Sequence, residues 1–412
     1  MVGGDRSALR RGRKSGGPPC FLDLPDDAIF AILTYCDPAT LGQLSLVCRR
    51  LNNLAAQDCV WLPYRRKLFG PVNIRKTFKP PSVKAQCEVA VNWKAGSPRE
   101  VCLISYATKQ IPWIQLYDDN LWVSEEQEIR CHPASAKGIR AQSCKSLKPG
   151  GQDISRFMCK DGRLVAATRC ACISMFDLST GDRVQHLQHC HQSDIHCIDF
   201  HGDVIVSGSR DSTVKMWRQS ASSANDVLLK TVHIGSRIWS LCISPDARFL
   251  ITGTAGWNDV APLHLWDMNT GQFLGNLGEN YQEGAGVLDV HFKDEHLAFT
   301  CGYDTYTRLW DLRQPLNKHV GKWEEPFDYT VYCVRSDQER SFVTGLSHHG
   351  LTRLWDIRHS QPLQMLYSSC KQSSPVYSLA FESSRMYVAL DKAVLLFDFN
   401  RLPKSKQRRR RR

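Results

Sequence analysis

The chain has 412 residues, 42% of them hydrophobic, and a formal net charge of +12. That is enough apolar material for a large core, yet no run of 18 apolar residues occurs, which excludes a membrane-spanning helix of ordinary length. The charge sits at the ends: residues 1–20 carry +4 and the tail after Leu402, beginning PKSKQ, carries +7, which leaves +1 for the body between them.

Residues 1–20 are basic and lack an apolar h-region, so they do not read as a secretory signal and are expected to be disordered. The 17 cysteines are odd in number and scattered, and no CxxC pair occurs, which argues against a zinc ribbon. The reading is free thiols in a reducing compartment, most of them small core residues, with Cys170 and Cys172 the one tight pair.

Residues 21–69 read as helical. Pro25 can open a helix after Leu24, with Asp26 and Asp27 in a first turn where carboxylates suit the macrodipole. Ile29, Ile32 and Leu33 fall on one helical face. DPAT at 37–40 breaks and recaps, and Leu41, Leu44, Val47 and Cys48 continue at helical spacing to Leu51 and Leu54. So short a bundle buries little core alone and needs a partner, unless it is a self-contained hairpin packed on the rest. The stretch resembles an F-box: Leu24-Pro25, Ile32-Leu33, Val47-Cys48-Arg49 and Trp61 match that family's pattern, with Cys36 where leucine is more usual. The resemblance implies docking on the Skp-type adaptor of an SCF ubiquitin ligase, and through it on a cullin and a RING subunit. The implied contacts are Leu24, Pro25, Ile29, Ile32, Leu33, Leu41, Leu44, Val47, Cys48 and Arg49.

Residues 70–100 read as a linker. From about residue 101 to 402 a unit recurs in which strands close on an aromatic at positions 176, 217, 266, 310, 355 and 397, spaced by 41, 49, 44, 45 and 42 residues. A period of 40–45 with several short strands per unit is the pattern of a β-propeller, whose ring closure leaves no long exposed edges. A weaker seventh unit, NLWVSEEQEIRCHP at 120–133, makes seven blades, and the last strand, AVLLFDF, would pair in a blade begun by the N-terminal part of the domain. The fold class expected is mainly β: a seven-bladed propeller preceded by a small helical domain. The repeats resemble the WD-repeat family, and NWKAG at 92–96 resembles the Asn-Trp-x-x-Gly that precedes the propeller in F-box/WD-repeat proteins. The resemblance implies a structural hydrogen-bonded tetrad of His191, Ser207, Asp211 and Trp217. Asp304, Thr300 and Trp310 repeat it without a histidine, and the unit ending at Trp266 carries the insertion GWNDVAP and no clear aspartate.

No Gly-rich phosphate loop, HExxH or GxSxG is found, and the two histidines of SHHG at 347–350 lack visible partners for a metal. Nothing is long enough for a thioester-forming ligase domain. The chain is therefore read as non-catalytic and without cofactor, recruiting a protein substrate by tethering it near the ubiquitin carrier. The second residue of each first strand is expected to look into the propeller mouth: Ser155, His196, Trp239, Leu288, Tyr332 and Tyr377. Family receptors for phosphorylated peptides use arginines there and just before the turn aspartate, which places Arg210 and Arg237 at the rim. The expected mouth is an aromatic pocket with a single cationic edge.

Two other readings stay open. LWDLR at 309–313 and LWDIR at 354–358 resemble the Trp-Asp-x-Arg boxes of cullin-4 substrate receptors, with Arg313 and Arg358 as adaptor contacts. A WD-repeat scaffold with a vestigial F-box is the third. The basic tail can act as a nuclear-import signal, bind nucleic acid non-specifically, or be simply solvated. A cytoplasmic or nuclear location follows, with neither membrane nor specific nucleic acid as partner.

Overall fold

The computed structural model describes residues 20–67, 81–135, 138–140, 142–218, 227–337, 339–370 and 373–400. The basic segment 1–19 and the tail 403–412, both read as disordered, lie outside the described residues, as does the 70–80 part of the linker. The chain divides into two compact units, the described residues up to 67 with 81–87, and those from 88 onward.

The first unit is helical. A 3₁₀ turn (Phe21–Asp23) leads into α1 (Asp26–Leu33), followed by α2 (Pro38–Leu44), α3 (Arg49–Ala55), α4 (Asp58–Lys67) and α5 (Val83–Ala95), of which only the first turns belong to this unit. Pro25 is the N-cap of α1, which starts one residue later than Pro25 itself. Asp37 caps α2, its carboxylate accepting from the amides of Ala39 and Thr40 at 2.8 and 3.0 Å. The expected continuous helix from Leu41 to Leu54 is broken: Ser45–Val47 turn, and Cys48 caps α3. Arg50, next to the motif's Arg49, holds the entry together by donating to Asp26 and to the carbonyls of Leu22 and Leu24. The core gathers Ile29, Leu33, Leu41, Leu51, Leu54 and Trp61. Trp61 Nε1 donates to the Ala55 carbonyl at 2.6 Å, which satisfies a buried indole N–H inside a small core.

The second unit is a β-propeller of seven sheets among the described residues. Blade 1 is built on the strands Ile114–Tyr117, Asn120–Glu125 and Glu128–Ser135; blades 2 to 6 have inner strands Ile154–Lys160, Ile195–His201, Ile238–Ile243, Val287–Phe292 and Val331–Ser336. Blade 7 combines Ser378–Glu382, Arg385–Ala389 and Ala393–Asp398 with Arg99–Ser105 from the start of the unit. Arg99 opposes Asp398 and Ser105 opposes Ala393, so the two ends of the ring are joined by backbone pairing within one blade, with Arg99–Ser105 as its outer strand.

Residues 81–100, read as linker, contain α5. Its last turns belong to the propeller unit, where Trp93 is fully buried. Trp93 stacks on Phe399 with centroids 3.5 Å apart and donates Nε1 to the Ser383 carbonyl at 2.8 Å. Asn92 donates to the Phe399 carbonyl at 2.7 Å. Gly96 ends the helix at φ +58°, the left-handed region that glycine occupies without a Cβ penalty. The Asn-Trp-x-x-Gly pattern thus fastens the start of this unit to the end of its last strand.

Candidate functional site

Two surfaces carry the candidate residues, one on each unit. On the helical unit the ten proposed adaptor contacts separate. Ile29, Leu33 and Leu41 are fully buried in the unit's own core, and Leu44 and Cys48 pack against it. The three fully buried side chains point into the unit's own core, while Leu44 and Cys48 stay part-exposed at its margin. Ile29, Ile32 and Leu33 share a side of α1, but Ile32 sits at its edge and is exposed. Leu24, Pro25, Ile32, Val47 and Arg49 are accessible. Sequence reasoning missed Phe21, Leu22, Tyr35 and Leu46, all exposed; Tyr35 is 90%, Leu46 81% and Val47 64% accessible. Apolar residues in the exposed turn at 45–47 were hidden because the stretch was read as helix.

On the propeller five of the six mouth positions share one backbone device; Tyr377 directly precedes the regular strand Ser378–Glu382, whose pairing shows no slip. In blades 2 to 6 the register slips across Ser155, His196, Trp239, Leu288 and Tyr332: Ile195 pairs Ser209 and Cys197 pairs Gly208, for example, and His196 is left over. A bulge at the start of each inner strand re-aims that one side chain. Being at the same step of successive inner strands, these residues ring one end of the channel. His196 stacks on Trp239 with centroids 4.7 Å apart, and Tyr332 meets Tyr377 edge-on at 5.8 Å. Each of these side chains is only half-buried.

Arginines flank the His196–Trp239 stack. The amide of Arg210 donates to the Asp194 carbonyl at 2.9 Å, and the amide of Arg169, one blade earlier, donates to the Asp153 carbonyl at 2.9 Å. The two are thus equivalent positions on blades 2 and 3, while Arg237 directly precedes the inner strand of blade 4. No guanidinium of the three is in an ion pair among the described residues. Burial holds the His196 imidazole down at about 4; Asp194 opposes this, and both Arg169 and Arg210 reinforce it. Arg169 and Arg210 thus both act on the His196 imidazole, so the cation expected at Arg210 has a neighbour one blade earlier. Arg169 was missed because its hairpin, TRCACI, lacks the turn aspartate that marks SRDSTV. Beside it a cavity of about 240 Å³ is lined by Lys109, Gln110, Glu126, Asp153 and Arg169 among others.

Deeper along the inner strands the channel is filled. Trp113 lies under the guanidinium of Arg156, 3.9 Å from the ring centre, with that of Arg335 at 5.2 Å. Arg335 also pairs with the buried Asp289, which accepts from the Val334 amide at 3.1 Å. Buried Asp199 pairs with Lys160 and accepts from the Ile243 amide at 2.9 Å. These carboxylates tie neighbouring inner strands together.

The tetrad residues sit in blade 3. His191 Nδ1 lies 3.0 Å from Asp211 Oδ2, His191 Nε2 lies 2.8 Å from Ser207 Oγ, and Trp217 Nε1 donates to the same Oγ at 3.0 Å. Asp211 also accepts from the Thr213 amide and hydroxyl. Trp266, Trp310 and Trp355 each donate to a strand threonine at 2.9 Å, and Arg308 takes the histidine's place against Asp304. Of the two Trp-Asp-x-Arg boxes, Arg313 folds back onto Asp311 at 2.8 Å and Arg358 onto Asp356. Among the described residues, no helix is long and apolar enough to cross a membrane.

Comparison with known proteins matches residues 21–64 to the F-box-like family, and residues 181–218 and 227–260 to the WD domain, G-beta repeat family. The chain is 34% identical over 94% of its length to human F-box/WD repeat-containing protein 4, known as dactylin, and covers 94% of that protein. Against the mouse protein of the same name the identity is 34% over 91% of this chain and 92% of that one. WD repeat-containing protein 53 homolog of Dictyostelium discoideum is 25% identical over 34% of the chain and 37% of its own length.

Proposed function

The chain belongs to the family of F-box/WD-repeat proteins, and from that premise we propose that it is the substrate-recognition subunit of an SCF-type ubiquitin ligase. In this reading it is non-catalytic and needs no cofactor. Its helical unit binds the Skp-type adaptor, which brings a cullin and a RING subunit. The propeller mouth binds a protein substrate, and ubiquitination follows from the high effective concentration of its lysines near the charged carrier.

The observation that carries the reading is the apolar surface left uncovered on the helical unit: Phe21, Leu22, Leu24, Ile32, Tyr35, Leu46 and Val47 are exposed on a unit with a complete core of its own. Exposed apolar clusters on a small domain mark interaction sites. At the mouth, the stacked and edge-on rings supply rigid anchors, and Arg169, Arg210 and Arg237 supply bidentate donors to acidic groups. This suits a peptide with an apolar or aromatic anchor and acidic flanks. The cullin-4 reading has less support, because Arg313 and Arg358 already satisfy the aspartates of their own turns.

Co-purification of the full chain from cells tests the assignment: recovery of the Skp-type adaptor is expected, and recovery of the cullin-4 adaptor alone, or of neither, overturns it. Trp239→Ala and Arg210→Glu are expected to change the captured substrates while leaving adaptor recovery intact. An unchanged substrate set in both variants places recognition elsewhere.

A further inference from the structure

Blades 2 and 3 align residue by residue through their hairpin tips, Ile154 pairing Thr168 as Ile195 pairs Ser209. In blade 3 the order is Ser209, Arg210, Asp211, Ser212, Thr213; in blade 2 it is Thr168, Arg169, Cys170, Ala171, Cys172. The third tip residue after the strand takes positive φ in both, +66° at Ser212 and +57° at Ala171. In blade 3 this turn brings the Thr213 hydroxyl onto the Asp211 carboxylate at 2.6 Å. In blade 2 the same geometry brings two thiols together, and Cys170 Sγ lies 3.4 Å from Cys172 Sγ.

From this juxtaposition we infer that Cys170 and Cys172 form a reversible oxidation site that closes to a disulfide on exposure to a peroxide. A disulfide needs sulfurs about 2 Å apart, which rotation of two side chains on a preformed turn can supply. The surroundings divide the roles. Although partial burial opposes it, hydrogen bonds from Thr168, the Gln152 backbone and Cys172 hold the Cys170 thiol below its ordinary range, whereas burial and the neighbouring Cys170 raise Cys172. Both sulfurs are half-buried rather than enclosed. Seven of the 17 cysteines are buried, burial raises Cys102 and Cys370, and in the other neighbouring pair, Cys131 and Cys144, burial holds Cys131 up at about 12.

The chemistry balances without a cofactor. The Cys170 thiolate attacks one peroxide oxygen; an S–O bond forms, the O–O bond breaks, and hydroxide leaves and is protonated to water. Cys170 is then a sulfenic acid. The Cys172 thiol loses its proton and attacks that sulfur; the S–S bond forms, the S–O bond breaks and a second water leaves. Two thiols are oxidised by two electrons and one hydrogen peroxide is reduced to two waters. A dithiol reverses it. Gly151 closes over the pair, since a Cβ there would stand 2.3 Å from Cys170 Sγ, so a larger residue would displace the nucleophile.

The experiment uses the full-length reduced protein, hydrogen peroxide, alkylation of remaining thiols and peptide mass spectrometry. Cleavage after Arg169 and Arg183 yields one peptide holding both cysteines. It is expected to lose two hydrogens at least roughly tenfold faster than Cys102, Cys144 or Cys370 is modified, and to recover them with dithiothreitol. Cys172→Ser is expected to stop at a sulfenic acid on Cys170, trapped by a 1,3-dione, and Cys170→Ser to leave Cys172 unmodified at the same dose. Thermal melting checks that both variants fold. The inference is overturned if the wild-type peptide keeps both thiols when the exposed cysteines have reacted, a result that needs no variant.

Discussion

Replacing Leu46 and Val47 together by aspartate separates the two surfaces of the helical unit. Both lie in the turn between α2 and α3, outside any helix, and are 81% and 64% exposed. Aspartate in an exposed turn costs the fold little. If these side chains are covered by the adaptor, each contributes in proportion to the surface it buries. Full burial of such a side chain is worth about 1.5–3 kcal/mol, so the pair at these exposures contributes about 3 kcal/mol, or somewhat more than 100-fold in Kd. The matched control is Leu33→Ala. That side chain is fully buried in the unit's core, and its truncation costs about 2–5 kcal/mol of folding stability. Calorimetric titration of the purified chain with the Skp-type adaptor, alongside thermal melting by circular dichroism, reads both effects. The double turn variant should lose binding with an unchanged melt, and Leu33→Ala should lose binding only through a lowered melt. Affinity within threefold of wild type in the turn variant refutes the assignment of that surface. A lowered melt in the same variant refutes the claim that these residues lie outside the fold.

His191→Ala removes the group that joins Ser207 to Asp211 inside blade 3, and a loss of about 1–3 kcal/mol in denaturant unfolding is expected; no change in midpoint would show that the tetrad is not a stabilising network. Burial keeps His264 neutral, holding it down at about 4 against an ordinary value near 6.5. The unfolded chain therefore takes up a proton first as pH falls, so the histidine's contribution is complete above about 6.5, declines toward 4, and is reduced by about 2 kcal/mol at pH 5. His191 adds in the same direction, burial outweighing Asp211. Urea midpoints measured from pH 7 to 5 should fall, and the fall should shrink in His264→Gln; a flat profile contradicts the shift. Trp93→Ala should destabilise the propeller by about 3–5 kcal/mol, because a fully buried indole that stacks on Phe399 is lost; limited proteolysis should cleave the end of the ring first, and unchanged protection there would count against the fastening role.

Local order was open to reading in the sequence because it depends on neighbours a few residues apart. The period between closing aromatics marked six blades, the segment 120–133 supplied the seventh, and the last strand AVLLFDF foretold the ring closure that Arg99–Ser105 completes. The helix-breaking DPAT and the capping role of Asp37 are likewise local chemistry. What the sequence could not supply was the sorting of apolar residues into core and surface. Ile29 and Ile32 are alike in type and one turn apart, and only the packing of α1 against α3 decides that the first is buried and the second exposed. The bulges that turn Ser155, His196, Trp239, Leu288 and Tyr332 toward the mouth are set by pairing with a distant partner strand, so no single strand reveals them. Arg169 joins Arg210 only once two hairpins 41 residues apart are placed in register around a ring. The pairing of Cys170 with Cys172 is local and visible as spacing, but that their sulfurs meet follows from a turn that in blade 3 serves an aspartate and a threonine.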